Sequence, residues 1–271
     1  MTTNKSTIAL VYDFDGTLAK GNIPEHGIFK DLGIDKEHFW QETAAVTEEN
    51  NCDMIFSYMY LLAVKAGQAG LKLTREKLAA YGKKNIPYFE GVTEWFARIN
   101  AFCAAQGVSC EHYIISSGIE EVISATVIAP YFKYIFASKY HFSNQGPAEC
   151  PSVMINYTTK TQYLFRINKG ILNYHDNEAI NRWLPMAARP VPFERIIYLG
   201  DGDTDIPSMK MTRNQGGHSI AVFDPDEWSD PSQQQKIYKL ISEDRANYVA
   251  PADYRDGSQL DILVKGIIGK L

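Results

Sequence analysis

Short apolar runs recur along the chain and alternate with segments of a different, helical spacing. The clearest runs are IALVY, HYIIS, RIIYLG and SIAVF, at residues 8–12, 112–116, 195–200 and 219–223. Apolar runs of this length are typical of strands that are buried on both faces of a sheet. Residues 90–106 instead repeat apolar side chains about every 3.6 positions, which predicts an amphipathic helix. The same spacing after Gly118 predicts a helix that begins at once.

Strands that alternate with helices indicate an α/β fold, with a doubly wound, Rossmann-like parallel sheet. Residues 20–86 interrupt this alternation, because they contain helical patterns and turn glycines but no convincing strand. We therefore predict a core of residues 1–19 and 87–271 and an inserted α-helical cap domain of residues 20–86. A cap placed there would cover the carboxyl ends of the strands, where open α/β folds bind ligands. A second irregular stretch, residues 139–157, predicts a hairpin or a long loop.

Composition and charge narrow the class of protein. The chain is 45% hydrophobic and 22% charged, as in soluble globular proteins, and its net charge of −5 argues against nucleic acid as a partner. The most apolar later stretch, residues 54–64, is shorter than the ~20 residues that span a bilayer. We expect a cytoplasmic protein with no membrane partner, and the sequence predicts no oligomeric state. Zinc-like spacing is absent from the four cysteines, which are expected to be reduced thiols: Cys52, Cys103, Cys110 and Cys150.

Two carboxylates end the first predicted strand, with one phenylalanine between them. Alternate side chains of an extended chain point to the same side, so Asp13 and Asp15 are expected side by side, with Phe14 pointing away. Neighbouring carboxylates repel each other and resist burial. A divalent cation, or acid–base chemistry that needs two carboxyl groups, would stabilise this arrangement.

A serine motif ends the second predicted strand. Ser116 and Ser117 are followed by Gly118, which permits a tight turn into a helix. A hydroxyl and free backbone amides at a helix N-terminus form a site suited to phosphate. An ordinary serine N-cap has the same form, so the motif alone leaves both interpretations open.

A cluster of acidic residues follows the strand at 195–200. Asp201, Asp203 and Asp205 fall within five residues and suggest a metal site. The spacing also resembles the start of a calcium-binding EF-hand loop. That interpretation fails, because Ile206 and Thr212 occupy the positions of the loop's glycine and glutamate.

Two lysines compete as the cation that would neutralise a bound phosphate. Lys160 lies near the start of a predicted helix, and Lys169 lies nine residues further on. About forty residues separate Lys160 from Asp201. The sequence leaves the choice between the two lysines open.

In this order, the motifs DFDGT at 13–17, Ser116, Lys160 and GDGDTD at 200–205 resemble those of the haloacid dehalogenase superfamily. The segment after the first strand resembles the helical cap of its phosphoserine-phosphatase-like branch. The distance from Lys160 to Asp201 is longer than we expect from a compact member. The resemblance implies an enzyme, a phosphatase, that hydrolyses a small soluble phosphate ester with Mg²⁺ and an aspartyl-phosphate intermediate.

The resemblance also implies a role for each motif. Asp13 would be the nucleophile, and Asp15 would act first as general acid and then as general base. Mg²⁺ would be held by the side chains of Asp13 and Asp201, by the backbone carbonyl of Asp15, and by Asp205 directly or through another ligand. The phosphate would be held by Ser116, Ser117, Gly118 and Lys160.

Two alternative functions stay open: a phosphotransferase or phosphomutase with the same nucleophile, and a catalytically silent module that binds phosphate and metal. The presence of both Asp13 and Asp15 favours an active enzyme. Asp15 also disfavours dehalogenation, because a halide leaving group needs no proton. Specificity is expected in the cap, where the candidates are the aromatic Phe56, Tyr58 and Tyr60, and the polar Glu25 and His26.

Overall fold

The computed structural model describes residues 7–84, 86–144 and 146–271. Residues 1–6 of the predicted core, Asn85 of the predicted cap and Gln145 of the predicted hairpin lie outside the described residues. Seven strands of the described residues form one sheet: β1 (Thr7–Tyr12), β2 (Ser109–Ile119), β3 (Phe132–Phe142), β4 (Ala148–Val153), β5 (Ile196–Gly200), β6 (His218–Phe223) and β7 (Tyr248–Pro251). Their order is β4-β3-β2-β1-β5-β6-β7, and each pair is parallel except β3 and β4.

Strand β1 lies in the middle of the sheet and is buried on both faces. Ile8, Leu10 and Tyr12 point into one hydrophobic core, whereas Ala9 and Val11 point into the other. All five side chains are inaccessible to solvent, which explains why the run contains no polar position.

Helices cover both faces of the sheet. They are α1 (Ile28–Leu32), α2 (Lys36–Asn50), α3 (Met54–Gln68), α4 (Arg75–Gly82), α5 (Val92–Ala105), α6 (Glu120–Ile123), α7 (Lys160–Lys169), α8 (Asn177–Asn181), α9 (Ile206–Asn214), α10 (Pro231–Ser242) and α11 (Gln259–Lys270). Helices α5 and α11 contribute to the core that contains Tyr12, and α7, α9 and α10 contribute to the other. The predicted doubly wound α/β fold is therefore confirmed. Within the described ranges, every helix is too short or too polar to cross a bilayer.

Helices α1 to α4 follow one another without an intervening strand, as predicted for this part of the chain. We call described residues 20–84 the helical insert. Its two connections to the core run side by side, since the amide of Lys20 donates to the carbonyl of Pro87 (2.8 Å) and that of Phe89 to Leu18 (3.1 Å). The division into a core and a separate cap domain stays a prediction.

The sequence prediction was wrong about the chain after Gly118. Strand β2 continues to Ile119, which pairs with Ser138 of β3 after a register shift, and α6 contains only four residues. Val127, expected on the buried face of a longer helix, is 65% exposed. The irregular stretch at 139–157 contains the antiparallel hairpin of β3 and β4, one of the two structures predicted for it.

Candidate active site

The two acidic motifs and the serine motif meet at the carboxyl ends of adjacent strands. Asp13 follows the central strand β1, Ser116 lies in β2 and Asp201 follows β5. Because β2 and β5 flank β1, the chain order reverses here, and such a switch point is where open α/β sheets bind ligands. The amide of Asp13 donates to the carbonyl of Leu199 at 2.9 Å, which fixes the first motif against β5.

The turn after β1 explains the glycine in the first motif. Phe14 is fully buried and points away from the two aspartates, as the alternation predicted, and its carbonyl accepts from the amides of Leu18 and Ala19. Gly16 has a φ of +70°, a conformation that strains other residues. A Cβ atom there would lie 2.5 Å from Cγ of Asp201, so the glycine also makes room for that carboxylate.

Three carboxyl groups converge at this edge. One carboxylate oxygen from each of Asp13, Asp201 and Asp205 lies within 4.8 Å of the other two, a spacing that suits a divalent cation. Burial and the charge of Asp205 raise the pKa of Asp13 to about 8, although Lys160 opposes the shift. Burial likewise raises the pKa of Asp201 to about 6, against the influence of Lys236. Burial is the largest cause of both shifts, and the neighbouring Asp205 adds to it in each case.

Asp15 faces the cavity beside this cluster. Its Oδ1 accepts a hydrogen bond from the amide of Ile23 at 3.0 Å, which leaves Oδ2 free of that contact. Burial, and the charge of Asp13, raise the pKa of Asp15 well above its ordinary value. A raised pKa favours the protonated form of this carboxyl group, which is the form that a general acid requires.

The structure separates the two candidate lysines. Lys160 is fully buried, and its Nζ donates to Oδ2 of Asp13 and to Oδ1 of Asp205, both at 2.7 Å. Burial lowers the pKa of Lys160, but the two carboxylates outweigh burial and hold the pKa above its ordinary value. Lys169 lies at the other end of α7, where its Nζ donates to the carbonyls of Ile180 and Arg182. The long stretch of sequence between Lys160 and Asp201 therefore does not keep Lys160 away from the acidic cluster.

Asp205 is held entirely by donors of the protein. Besides Lys160, its Oδ1 accepts from the hydroxyl of Tyr198 at 2.6 Å, and its Oδ2 accepts from the amide of Gly202 at 3.2 Å. The side chain is inaccessible to solvent. Asp205 therefore fixes the position of Lys160 at the floor of the site.

The serine motif forms the opposite side of the site. Oγ of Ser116 accepts from the amide of Gly118 at 2.9 Å, and Ser116 and Ser117 both line the cavity. The hydroxyl of Ser117 is buried and has no hydrogen-bond partner among the described residues. The four-residue α6 begins only at Glu120, so the helix N-terminus predicted directly after Gly118 is not formed there.

A cavity of about 520 Å³ opens above these residues, between the strand ends and the helical insert. Of the three predicted aromatic residues, Tyr58 lines it, whereas Phe56 and Tyr60 stack on each other with ring centroids 5.7 Å apart. Residues four positions apart share a helix face, and Tyr58 lies between them on another face. The sequence prediction missed three other aromatic residues that line the cavity, Trp40, Phe89 and Tyr157.

The two polar candidates of the helical insert are already engaged. The carboxylate of Glu25 accepts from Asn22 and Trp40 and pairs with Lys36. The ring of His26 contacts the carbonyl of Lys20 at 2.6 Å. Neither side chain is free to bind a substrate amine or carboxylate without breaking these contacts.

Comparison with known proteins identifies the family. Residues 10–210 match the sequence model of the haloacid dehalogenase-like hydrolases, a range that contains all four motifs. The chain belongs to this family of enzymes. This chain is also similar to a Borreliella burgdorferi protein described as uncharacterized. The two are 28% identical over 96% of each chain.

Solved structures share the fold of this hydrolase. A hydrolase of the same family from Salmonella enterica serovar Typhi superposes with a TM-score of 0.60 and 17% identity, over 97% of this chain and 72% of the other. A phosphoserine phosphatase with an analogue of its phospho-aspartyl intermediate superposes with a TM-score of 0.55 and 16% identity, over 96% of this chain and 99% of the other. Cytosolic 5′-nucleotidase IIIB bound to cytidine superposes with a TM-score of 0.51 and 17% identity, over 98% of this chain and 86% of the other.

Proposed function

We propose that the protein is a Mg²⁺-dependent phosphatase that hydrolyses a small phosphomonoester through an aspartyl-phosphate on Asp13. The observation that carries the proposal is the buried contact of Lys160 with Asp13, beside a second carboxyl group, Asp15, that faces the same cavity. The shared fold with phosphoserine phosphatase and a 5′-nucleotidase supports a phosphate ester as the substrate class.

In the first step, a carboxylate oxygen of Asp13 forms a bond to phosphorus as the ester P–O bond breaks. Asp15 gives its proton to the departing alkoxide, so that a neutral alcohol leaves. The raised pKa of Asp15 suits this role, because it favours the protonated form that can donate. Lys160 balances the negative charge that the phosphoryl group brings to Asp13.

In the second step, water attacks phosphorus and the P–O bond to Asp13 breaks. Asp15, now ionised, accepts a proton from that water, which regenerates both carboxyl groups and releases inorganic phosphate. Ser116, Ser117 and Gly118 would bind the phosphate oxygens during both steps. We also propose that residues 20–86 act as a cap over this reaction.

The carboxylates fit a Mg²⁺ ion. Hard oxygen ligands are those that Mg²⁺ prefers, and the raised pKa values of Asp13 and Asp201 mark a place where a cation would relieve repulsion. Asp13 and Asp201 would hold the ion with side-chain oxygens and Asp15 with its backbone carbonyl. Because protein donors occupy both oxygens of Asp205, we assign it to positioning Lys160 and not to direct coordination. When bound, the ion would neutralise charge on the phosphoryl oxygens.

The proposal is tested by measuring phosphate release from a panel of phosphate esters, with Mg²⁺ and with EDTA. We expect release by the wild type that depends on Mg²⁺ and is absent from Asp13→Asn. Asp15→Asn should retain a single burst of 4-nitrophenolate from 4-nitrophenyl phosphate, because that leaving group needs no proton, whereas hydrolysis of the intermediate needs a base that accepts a proton from water. Asp203→Asn, an exposed neighbour of the cluster, is the control.

Two outcomes would contradict the proposal. Release that survives in Asp13→Asn would exclude this residue as the nucleophile. Transfer of the phosphoryl group within the substrate or to a second alcohol, instead of to water, would indicate a phosphomutase or phosphotransferase.

A further inference from the structure

The cavity extends well beyond the residues proposed to bind phosphate. Its volume of about 520 Å³ lies within the range of pockets that hold drug-sized ligands, so it accommodates much more than a phosphate group. The part nearest the helical insert, which we call the far wall, is lined by Trp40, Met54, Ile55, Tyr58 and Tyr157. A leaving group attached to phosphate would therefore meet a mainly aromatic and apolar surface.

The charged side chains beside the far wall are paired with each other. Glu25 accepts from Asn22 at 2.7 Å and from the indole of Trp40 at 3.0 Å, and it lies 2.8 Å from Lys36. Although burial opposes the shift, these bonds lower the pKa of Glu25 and keep it ionised. Among the described residues that line the cavity, Lys36 is the only lysine or arginine, so the carboxylate of an amino-acid leaving group would have to compete with Glu25 for it.

Two of the three aromatic side chains of the far wall, Trp40 and Tyr58, have their polar atoms turned toward protein partners. The indole N–H of Trp40 donates to Glu25, and the hydroxyl of Tyr58 donates to the backbone carbonyl of Ser117 at 2.8 Å. The two ring centroids are 5.8 Å apart and the ring planes are inclined by 57°, so the rings form a corner. Trp40 is partly exposed whereas Tyr58 is only 4% exposed, so Trp40 offers most of the ring surface of this corner to a ligand, and aromatic rings pair at such distances.

We propose that the substrate's leaving alcohol carries a planar aromatic ring that packs in the corner of Trp40 and Tyr58. The proposal rests on the phosphatase function above, which places the phosphate at Asp13 and Ser116. A nucleoside monophosphate, or the phosphate of another ring-bearing alcohol, has this chemistry, whereas phosphoserine does not. Trp40 is then a specificity residue, and Glu25 positions its ring.

The test compares kcat/KM for benzyl phosphate and uridine 5′-monophosphate with that for ethyl phosphate, phosphoserine and phosphocholine. The wild type should favour the ring-bearing esters over ethyl phosphate by about ten-fold, the size of effect typical of base–aromatic stacking. Trp40→Ala should remove most of that ratio through KM, and Trp40→Phe should restore part of it. Trp183→Ala is the matched control, since Trp183 is 80% exposed and does not line this cavity, and its ratio should equal that of the wild type.

Two results would overturn the inference: preference for phosphoserine or phosphocholine, or a Trp40→Ala variant that lowers kcat/KM for all esters equally, which would indicate a structural role. If no ester releases phosphate, the phosphatase proposal fails, and calorimetric binding of benzylphosphonate then decides the inference alone. Binding that weakens about ten-fold in Trp40→Ala would support it, and absence of binding to the wild type would contradict it.

Discussion

At the scale of single residues, the site depends on a lysine that is buried between two carboxylates. Removing one member of a buried ion pair leaves its partner's charge unpaired, which destabilises the fold. The contacts among Lys160, Asp13 and Asp205 therefore depend on one another. The hydroxyl of Tyr198 extends this unit behind Asp205. Lys160 therefore reaches Asp13, the proposed nucleophile, in a fixed position and would require no reorganisation when a phosphate binds.

We predict that Lys160→Met lowers kcat for phosphate release by roughly 10²–10³-fold, the cost typical of losing one electrostatic donor to a transition state. Lys169→Met is the matched control, because Lys169 lies on the same helix but contacts only the carbonyls of Ile180 and Arg182. Its kcat should equal that of the wild type. Urea unfolding of both variants establishes that they are folded. A larger loss in Lys169→Met than in Lys160→Met would reverse the assignment.

Residue identity at the strand ends could be predicted from sequence, but contacts across the cavity could not. Asp13, Asp15, Ser116 and Asp201 each follow an apolar run, and parallel strands bring such positions to one edge. Lys160 lies at the start of a helix, and only the packing of α7 against the sheet distinguishes it from Lys169. Trp40 and Tyr157 are far apart in the chain, so no local pattern indicated that both line one cavity.

At the scale of elements, the helical insert is joined to the core by a close backbone contact. Gly82, at the end of α4, lies against the carbonyl of Val122 in α6, where a Cβ atom would come within 2.0 Å of the oxygen. Helix α6 directly follows the serine motif, so this contact links the insert to the residues proposed to bind phosphate. The hydroxyls of Tyr58 and Tyr140 add hydrogen bonds between the insert and the core, to Ser117 and Met59.

We predict that Gly82→Ala destabilises the protein by about 1–3 kcal/mol, as overpacking does at tight contacts. Gly67→Ala, in α3, is the control, because a Cβ atom there meets no other atom within 4 Å. That change should stabilise the protein by about 0.5–1 kcal/mol, since alanine favours the helix over glycine. Urea midpoints followed by circular dichroism measure both effects. If the two substitutions changed the free energy of unfolding equally, the α4–α6 contact would accommodate a Cβ atom without loss of stability.

Strands with unbroken apolar runs were predictable, whereas those with mixed patterns were not. Strand β3 has polar residues among its apolar ones, and β7 is only four residues long, so neither gives a clear period. The helix predicted after Gly118 is short because pairing of Ile119 with β3 keeps the chain extended. Tertiary pairing overrode the helical spacing there.

At the scale of the whole molecule, the site makes stability depend on protons and cations together. A carboxyl group whose pKa is higher in the folded protein than in the unfolded chain binds more protons when folded. Its stabilising contribution is therefore present at low pH and is lost as the pH rises through the folded pKa. For Asp201 and Asp13, with pKa values of about 6 and about 8, that loss falls mainly between pH 4 and pH 8.

Without a divalent cation, these two groups should lower the free energy of unfolding as the pH rises, by at most about 1.4 kcal/mol per pH unit for each group. In the proposed site Mg²⁺ would compete with protons for the same carboxylates and would bind the folded chain in preference to the unfolded one, so its stabilising effect should grow with pH. We predict that Mg²⁺ raises the urea midpoint more at about pH 8 than at about pH 5.5, relative to EDTA.

Asp201→Asn should remove most of this difference, because it removes one ligand and one of the titrating groups together. Asp203→Asn should keep it, since that exposed neighbour is not among the three converging carboxylates. An equal effect of Mg²⁺ at both pH values would mean that the cation binds outside the carboxylate cluster. If Mg²⁺ shifted the urea midpoint of Asp201→Asn in the same way as that of the wild type, Asp201 would not be a ligand of the metal. The assignment of Asp13 as nucleophile would then depend on Asp13→Asn alone.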